Sequence, residues 1–245
     1  MSAVFGAMAS IAAAALIAVT GYAGPAYLAA GLAVVVIAVA IGWGPLLGLP
    51  QPAGSALLII LTGAAAVLTA LRPPDPDHPL TGFASLLAFA IIAAFLHELI
   101  RRDGRIRMVE SVAGTFFGQL MAMFASGWML LPDAGIGAAT LLVAAVAVAC
   151  ARAATALPWP VAVTGWVAFV AGTGGAILAA ATQGPIQLGP AAALGLAVAA
   201  TVAAMDRLLA TQPAGREGFG LLSAAIAPVA IAGTVAFAAV SLLGS

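Results

Sequence analysis

Stretches of roughly 20 apolar residues, each ended by proline, glycine or charge, recur about nine times along this 245-residue chain. That pattern leaves it few ways to fold. A helix needs about 20 such residues to cross the hydrocarbon core of a bilayer. In that medium every backbone polar group must be satisfied within the segment, which favours helices. The stretches fall near 3–22, 25–48, 54–72, 80–101, 107–131, 136–157, 160–182, 187–209 and 220–243. Charged residues make up 7% of the chain, against roughly 25% in a soluble domain. The expected fold is all-α: a polytopic integral membrane helical bundle of about nine transmembrane helices, with residues 1–245 forming a single transmembrane domain.

The boundaries have chemical reasons. Residues 72–79 hold four prolines in eight positions and cannot be helical. Residues 21–25, 48–54, 157–160 and 211–217 are rich in turn-forming glycine and proline. Residues 3–22 lack a basic segment before them, so they read as a first span rather than a cleaved signal peptide.

All eight basic residues are arginines. Arg101, Arg102, Arg105, Arg107, Arg152, Arg207 and Arg216 fall at alternate connections and hence on one side, leaving Arg72 on the other. The positive-inside rule makes the arginine-rich side cytoplasmic. It places the N-terminus inside and, after nine spans, the C-terminus outside. Abundant Ala, Gly and Arg without Lys points to a GC-rich bacterial source, and so to a bacterial cytoplasmic membrane. Zero net charge leaves no basic footprint for nucleic acid. Membrane lipids are the expected partners, with a membrane-protein partner or a homodimer as further candidates.

The densest polar cluster is 97–111. Glu98 shares a helix face with Arg101 and Arg102, and Arg107 with Glu110. One reading is a hairpin whose charges neutralise one another at the headgroups. The other is a headgroup- or phosphate-binding patch of Arg101, Arg102, Arg105 and Arg107, with Glu98 and Glu110 as polar partners. Arg152 and Asp206 lie within spans at similar depth. Ionisable groups there tend to pair or to face a cavity, so a buried ion pair stands beside independent snorkelling.

Other features carry less. Pro45 and Pro228 interrupt spans, as at some transporter binding sites. Residues 172–175 (GTGG) are an unwound point or a packing surface. The glycine pairs Gly44/Gly48 and Gly114/Gly118 serve intramolecular packing or a dimer seam. Asp75, Asp77 and His78 are too few for a coordination shell from one loop. Cys150 is the lone cysteine, so no cysteine cluster for a metal is expected. There is no P-loop, no HExxH, no Ser–His–Asp set at span-compatible positions and no DxxDG-type signature. No cofactor and no catalytic residue is assigned.

Residues 141–154, 158–172, 191–212 and 215–233 resemble, in that order, the C-terminal half of phosphatidate cytidylyltransferases (CDP-diacylglycerol synthases). The resemblance implies a many-pass helical enzyme fold with a cytoplasm-facing, metal-dependent site. Asp206 matches the Asp of that family's G-D-x-x-E-S-x-x-K-R segment, and 215–233 matches its last helix with the Ala-Pro pair. The departures are extensive. Ala151 and Arg152 stand where the family has an Asp, Leu209 or a neighbour replaces the Glu, and the G-H-G-G-x-x-D-R-x-D box is missing. A second alignment places 107–114 on the family's K-K-[ST]-x-E-G start. The resemblance thus implies a relative without catalysis, whose Arg152 supplies the cation opposite Asp206 where the enzyme holds metal. The leading expectation is a non-catalytic lipid-handling or accessory membrane protein. A small transporter or permease component is the alternative, followed by an active enzyme on a lipid or isoprenoid substrate.

Overall fold

A computed structural model describes residues 2–72, 81–101, 106–134, 137–183, 187–212 and 218–243. Ten helices follow one another: α1 (Ser2–Ala23), α2 (Pro25–Leu47), α3 (Pro52–Ala70), α4 (Thr81–Ile100), α5 (Met108–Ala125), α6 (Gly127–Ala134), α7 (Ala138–Thr155), α8 (Val161–Gln183), α9 (Leu188–Ala210) and α10 (Gly218–Leu243). No strand occurs among the described residues. Helices α5 and α6 together make one apolar stretch, Met108–Ala134, so nine candidate membrane spans are present among these residues. The protein is a multi-pass membrane helical bundle.

Local chemistry explains the ends. Helices α2 and α3 each begin on a proline, whose missing N–H is an orphan at that position anyway. Helix α2 ends on Gly48 at φ 60°, a left-handed cap. There Leu49 N–H donates to the Gly44 carbonyl at 2.9 Å, closing the last turn. Pro45 therefore lies in the final turn rather than in a kinked middle. The fifth span differs from the single helix read over 107–131. Ser126 bends its hydroxyl back to the Met123 carbonyl at 2.6 Å, and the helix restarts at Gly127. Residues 172–175 lie inside the unbroken α8. Gly172 there packs on Ala199 and Ala147, and Gly175 on Cys150.

The helices run alternately up and down. Contacts at one end join the start of α1 to the end of α7 (Gly6 with Arg152) and the start of α3 to the end of α4 (Gly54 with His97). Contacts at the other end join Gly21 to Leu141 and Thr69 to Gly82. The end that gathers His97, Arg101, Arg107, Arg152 and Arg207 is called here the arginine-rich end. Helix α10 runs through the middle, packed on α1, α2, α5, α6 and α9. Helix α4 lies at the rim, on α3 and α5.

Large side chains cover both the inside and the outside. Trp43, Trp128, Ile17 and Leu32 are fully buried, while Phe89, Trp166, Val170 and Leu178 stand exposed along the spans. A water-soluble protein does not present so continuous an apolar surface; lipid is its proper solvent. The two buried tryptophans are anchored: Trp43 Nε1 donates to the Gly114 carbonyl at 2.8 Å and Trp128 Nε1 to the Val229 carbonyl at 2.9 Å. Gly114 and Gly118 face Leu49, Ile59 and Trp43 of this same chain, which is intramolecular packing.

Candidate functional site

Two buried polar clusters lie at the arginine-rich end. The first joins α1, α7 and α9. Arg152 sits in the last turn of α7, and its Nη1 donates to Asp206 Oδ1 of α9. Its Nε donates to Ser10 Oγ of α1 at 2.9 Å. Ser10 in turn donates to the Ala225 carbonyl of α10, 2.6 Å away. Gly6, one turn before Ser10, also packs against the guanidinium, with its Cβ position 3.6 Å from Arg152 Nη2, an ordinary contact distance. Pro228 lacks the N–H that would bond Ala224, and the neighbouring Ala225 carbonyl is the one Ser10 reaches. The side chains are 9% and 25% exposed for Arg152 and Asp206. The guanidinium and the carboxyl group are in direct hydrogen-bond contact, and the serine ties the pair to two further helices.

The second cluster joins α4 and α5. Glu98, 1% exposed, meets Arg101 Nη1 at 2.8 Å. Ser111 donates to its other oxygen at 2.5 Å. Arg101 also donates to the Ile106 carbonyl at 2.5 Å. Arg101, read from the sequence as a headgroup donor beside Glu98, is turned inward and buried against it. Its neighbour His97 lies 3.5 Å from Glu98 and packs on Gly54 of α3. Arg107 and Glu110 pair on the exposed surface, and Arg107 also donates to the Gly48 carbonyl at 2.9 Å. Arg107 takes φ 56° at the start of α5. Arg102 and Arg105 lie outside the described residues, as do Asp75, Asp77 and His78.

A polar ladder continues inward from Ser111 along α5. Thr115 and Ser55 of α3 share a hydrogen bond at 2.7 Å, and Gln119 Nε2 donates to Thr62 Oγ1 at 3.0 Å. Ser111, Thr115 and Gln119 are spaced i, i+4, i+8, one helix face. Gln119 is eleven residues into the span, about 16 Å deep at 1.5 Å per residue, which is mid-membrane. Its Oε1 is buried without a partner. The spacing was visible in the sequence; the facing Ser55 and Thr62 were not. Thr62→Val strands the whole Gln119 amide and costs about 1–3 kcal/mol, whereas adding Gln119→Leu restores most of it. Thermal unfolding of the two variants in detergent measures the difference.

The divalent-metal site implied by the cytidylyltransferase resemblance is not built by these residues. Asp206 is engaged by Arg152. Among the described residues no three His, Cys, Asp or Glu side chains come together. The carboxylates Glu98, Glu110 and Asp206 belong to separate places: the α4–α5 cluster, the exposed start of α5, and the α7–α9 pair. What the first cluster can do chemically is clamp helices. The second does the same for α4 against α5. No family model, no curated protein and no solved structure matches this chain.

Proposed function

We propose that this chain is a non-catalytic, lipid-handling accessory protein of a bacterial cytoplasmic membrane, related to CDP-diacylglycerol synthases and lacking their metal chemistry. The observation that carries it is the closure of Arg152 on Asp206. Cytidylyl transfer needs carboxylates free to hold divalent cations and donors for a triphosphate. Here the one carboxylate that aligns with the family is neutralised by an arginine of the same chain. The lipid side of the reading is supported by the apolar flank of the bundle and by a groove in it between α2 and α3, lined almost wholly by aliphatic side chains. Purified protein given CTP, magnesium and phosphatidate is expected to form no CDP-diacylglycerol above a protein-free control. Turnover that disappears in Asp206→Asn would sink the proposal.

The orientation proposed is arginine-rich end inward. A reporter that works only in the cytoplasm, fused after Gln212, is expected to be active; the same reporter fused after Leu243 is expected to be silent. The reverse pattern overturns the orientation.

One observation favours transport as the second reading. The ladder from Glu98 to Gln119 carries polar groups from one end of the bundle to mid-membrane. Solute flux into liposomes that Gln119→Leu abolishes would move the assignment to that class.

A further inference from the structure

The groove between α2 and α3 lies in the half of the bundle away from the arginines. It has a volume of about 270 Å³. Small residues make it: Ala29 and Ala33 on α2, Gly63 and Ala64 on α3. Along α3 it runs from Ile60 to Leu71, eleven helical steps or about 16 Å. That is close to half of the ~30 Å hydrocarbon core, the depth of one leaflet. Its volume falls just under the ~300–1,000 Å³ of ordinary small-molecule pockets, room for a chain and not for a bulky polar ligand.

The mouth of the groove has its own chemistry. Arg72 follows directly on Leu71, which lines the end of the groove, and is exposed. Tyr27 lies on another face of α2 from Ala29 but is exposed at the same end, and tyrosine rings favour the headgroup level. The other described arginines, Arg101, Arg107, Arg152 and Arg207, lie at the opposite end. A cation one residue beyond the end of a leaflet-deep apolar slot matches a phosphate above an acyl chain. An acyl chain laid along these aliphatic walls gains dispersion contacts over their length.

We infer that this groove seats one acyl chain of an anionic phospholipid from the leaflet opposite the arginine-rich end, with Arg72 holding the phosphate. The inference rests on the lipid-handling reading above and names the site and the lipid class. Lipid chains and the bundle surface are equally apolar, so shape and headgroup charge supply the selectivity.

The test uses the full chain in detergent, titrated with phosphatidylglycerol or phosphatidylcholine of identical chains and observed by native mass spectrometry. Wild type is expected to retain phosphatidylglycerol over phosphatidylcholine by about fivefold, the worth of one arginine near a surface. Arg72→Gln is expected to erase that preference. Ala64→Leu, on an exposed position, is expected to lower retention of both lipids by about tenfold through overpacking of the slot. Ala33→Leu, filling it from α2, is expected to do the same. Unfolding temperatures without added lipid verify that the variants fold. Retention indifferent to both leucines overturns the groove while leaving the lipid-handling reading intact. Equal retention of the two lipids by wild type overturns the headgroup assignment. A wild type that holds no lipid through detergent exchange overturns the lipid-handling reading itself.

Discussion

Asp206→Ala is expected to destabilise the bundle by about 3 kcal/mol, the lower end of the cost of leaving one partner of a buried ion pair alone. The lower end applies because the Asp206 side chain keeps 25% of its surface exposed. Arg152 would remain buried against Ser10, with its charge uncompensated. The double variant Arg152→Met/Asp206→Leu is expected to return to within about 1 kcal/mol of wild type, because removing both charges also removes the desolvation they incur. Denaturant titration in mixed micelles reads both. If the double variant loses as much as the single, the pair is not an electrostatic clamp and its value lies in shape alone. The same experiment bears on function. A clamp that can be exchanged for hydrocarbon without loss of fold is structural, as the non-catalytic reading requires.

Gly127→Val is expected to cost about 3 kcal/mol, at the top of the usual range for overpacking. Gly127 opens α6 where that helix crosses α10. A Cβ there would land on the backbone of Gly233 and Thr234, and backbone cannot rotate aside as a side chain can. Next to it Trp128 packs on Gly233 and is hydrogen-bonded to Val229, so the crossing has no slack. Gly174→Val is the control. It is also a helical glycine, but nothing lies within 4 Å of its Cβ position, and its expected change is below about 0.5 kcal/mol. Unfolding temperatures of the two in one detergent decide the matter. Similar losses would mean that close approach to α10 is not what makes Gly127 costly to replace, since valine has the higher helix propensity and loses nothing on that account.

These two sites differ in how far they could be read in advance. Arg152 and Asp206 announce themselves because a charge inside a span is rare, and counting residues from each helix end gives depth. Ser10 does not, since a serine in an alanine-rich helix carries no signal of what it faces. Gly127 looks like any of the chain's 28 glycines. Arg101 shows the same limit from the other side. Its place at a helix end suggests a surface donor, yet its guanidinium turns inward to Glu98 and Ser111. Glu98 is legible at i, i+3, but Ser111 lies ten residues from Arg101 across a hairpin, and spacing alone does not show that it closes the cluster.

Apolar length, broken by proline, glycine and arginine, is enough to determine a multi-pass helical bundle and the bounds of its spans to within a few residues, because hydrocarbon leaves a backbone few alternatives. The break at Ser126 and the pairing of helices were decided only in three dimensions. So were the route of the α5 ladder and the groove under Arg72. The reason is physical. In water a helix shows its inward face as an apolar stripe. In a membrane the outward face is apolar too, and the stripe disappears. What then selects the inward face is close fit between small residues and a few buried hydrogen bonds, and those exist only once the partners have met.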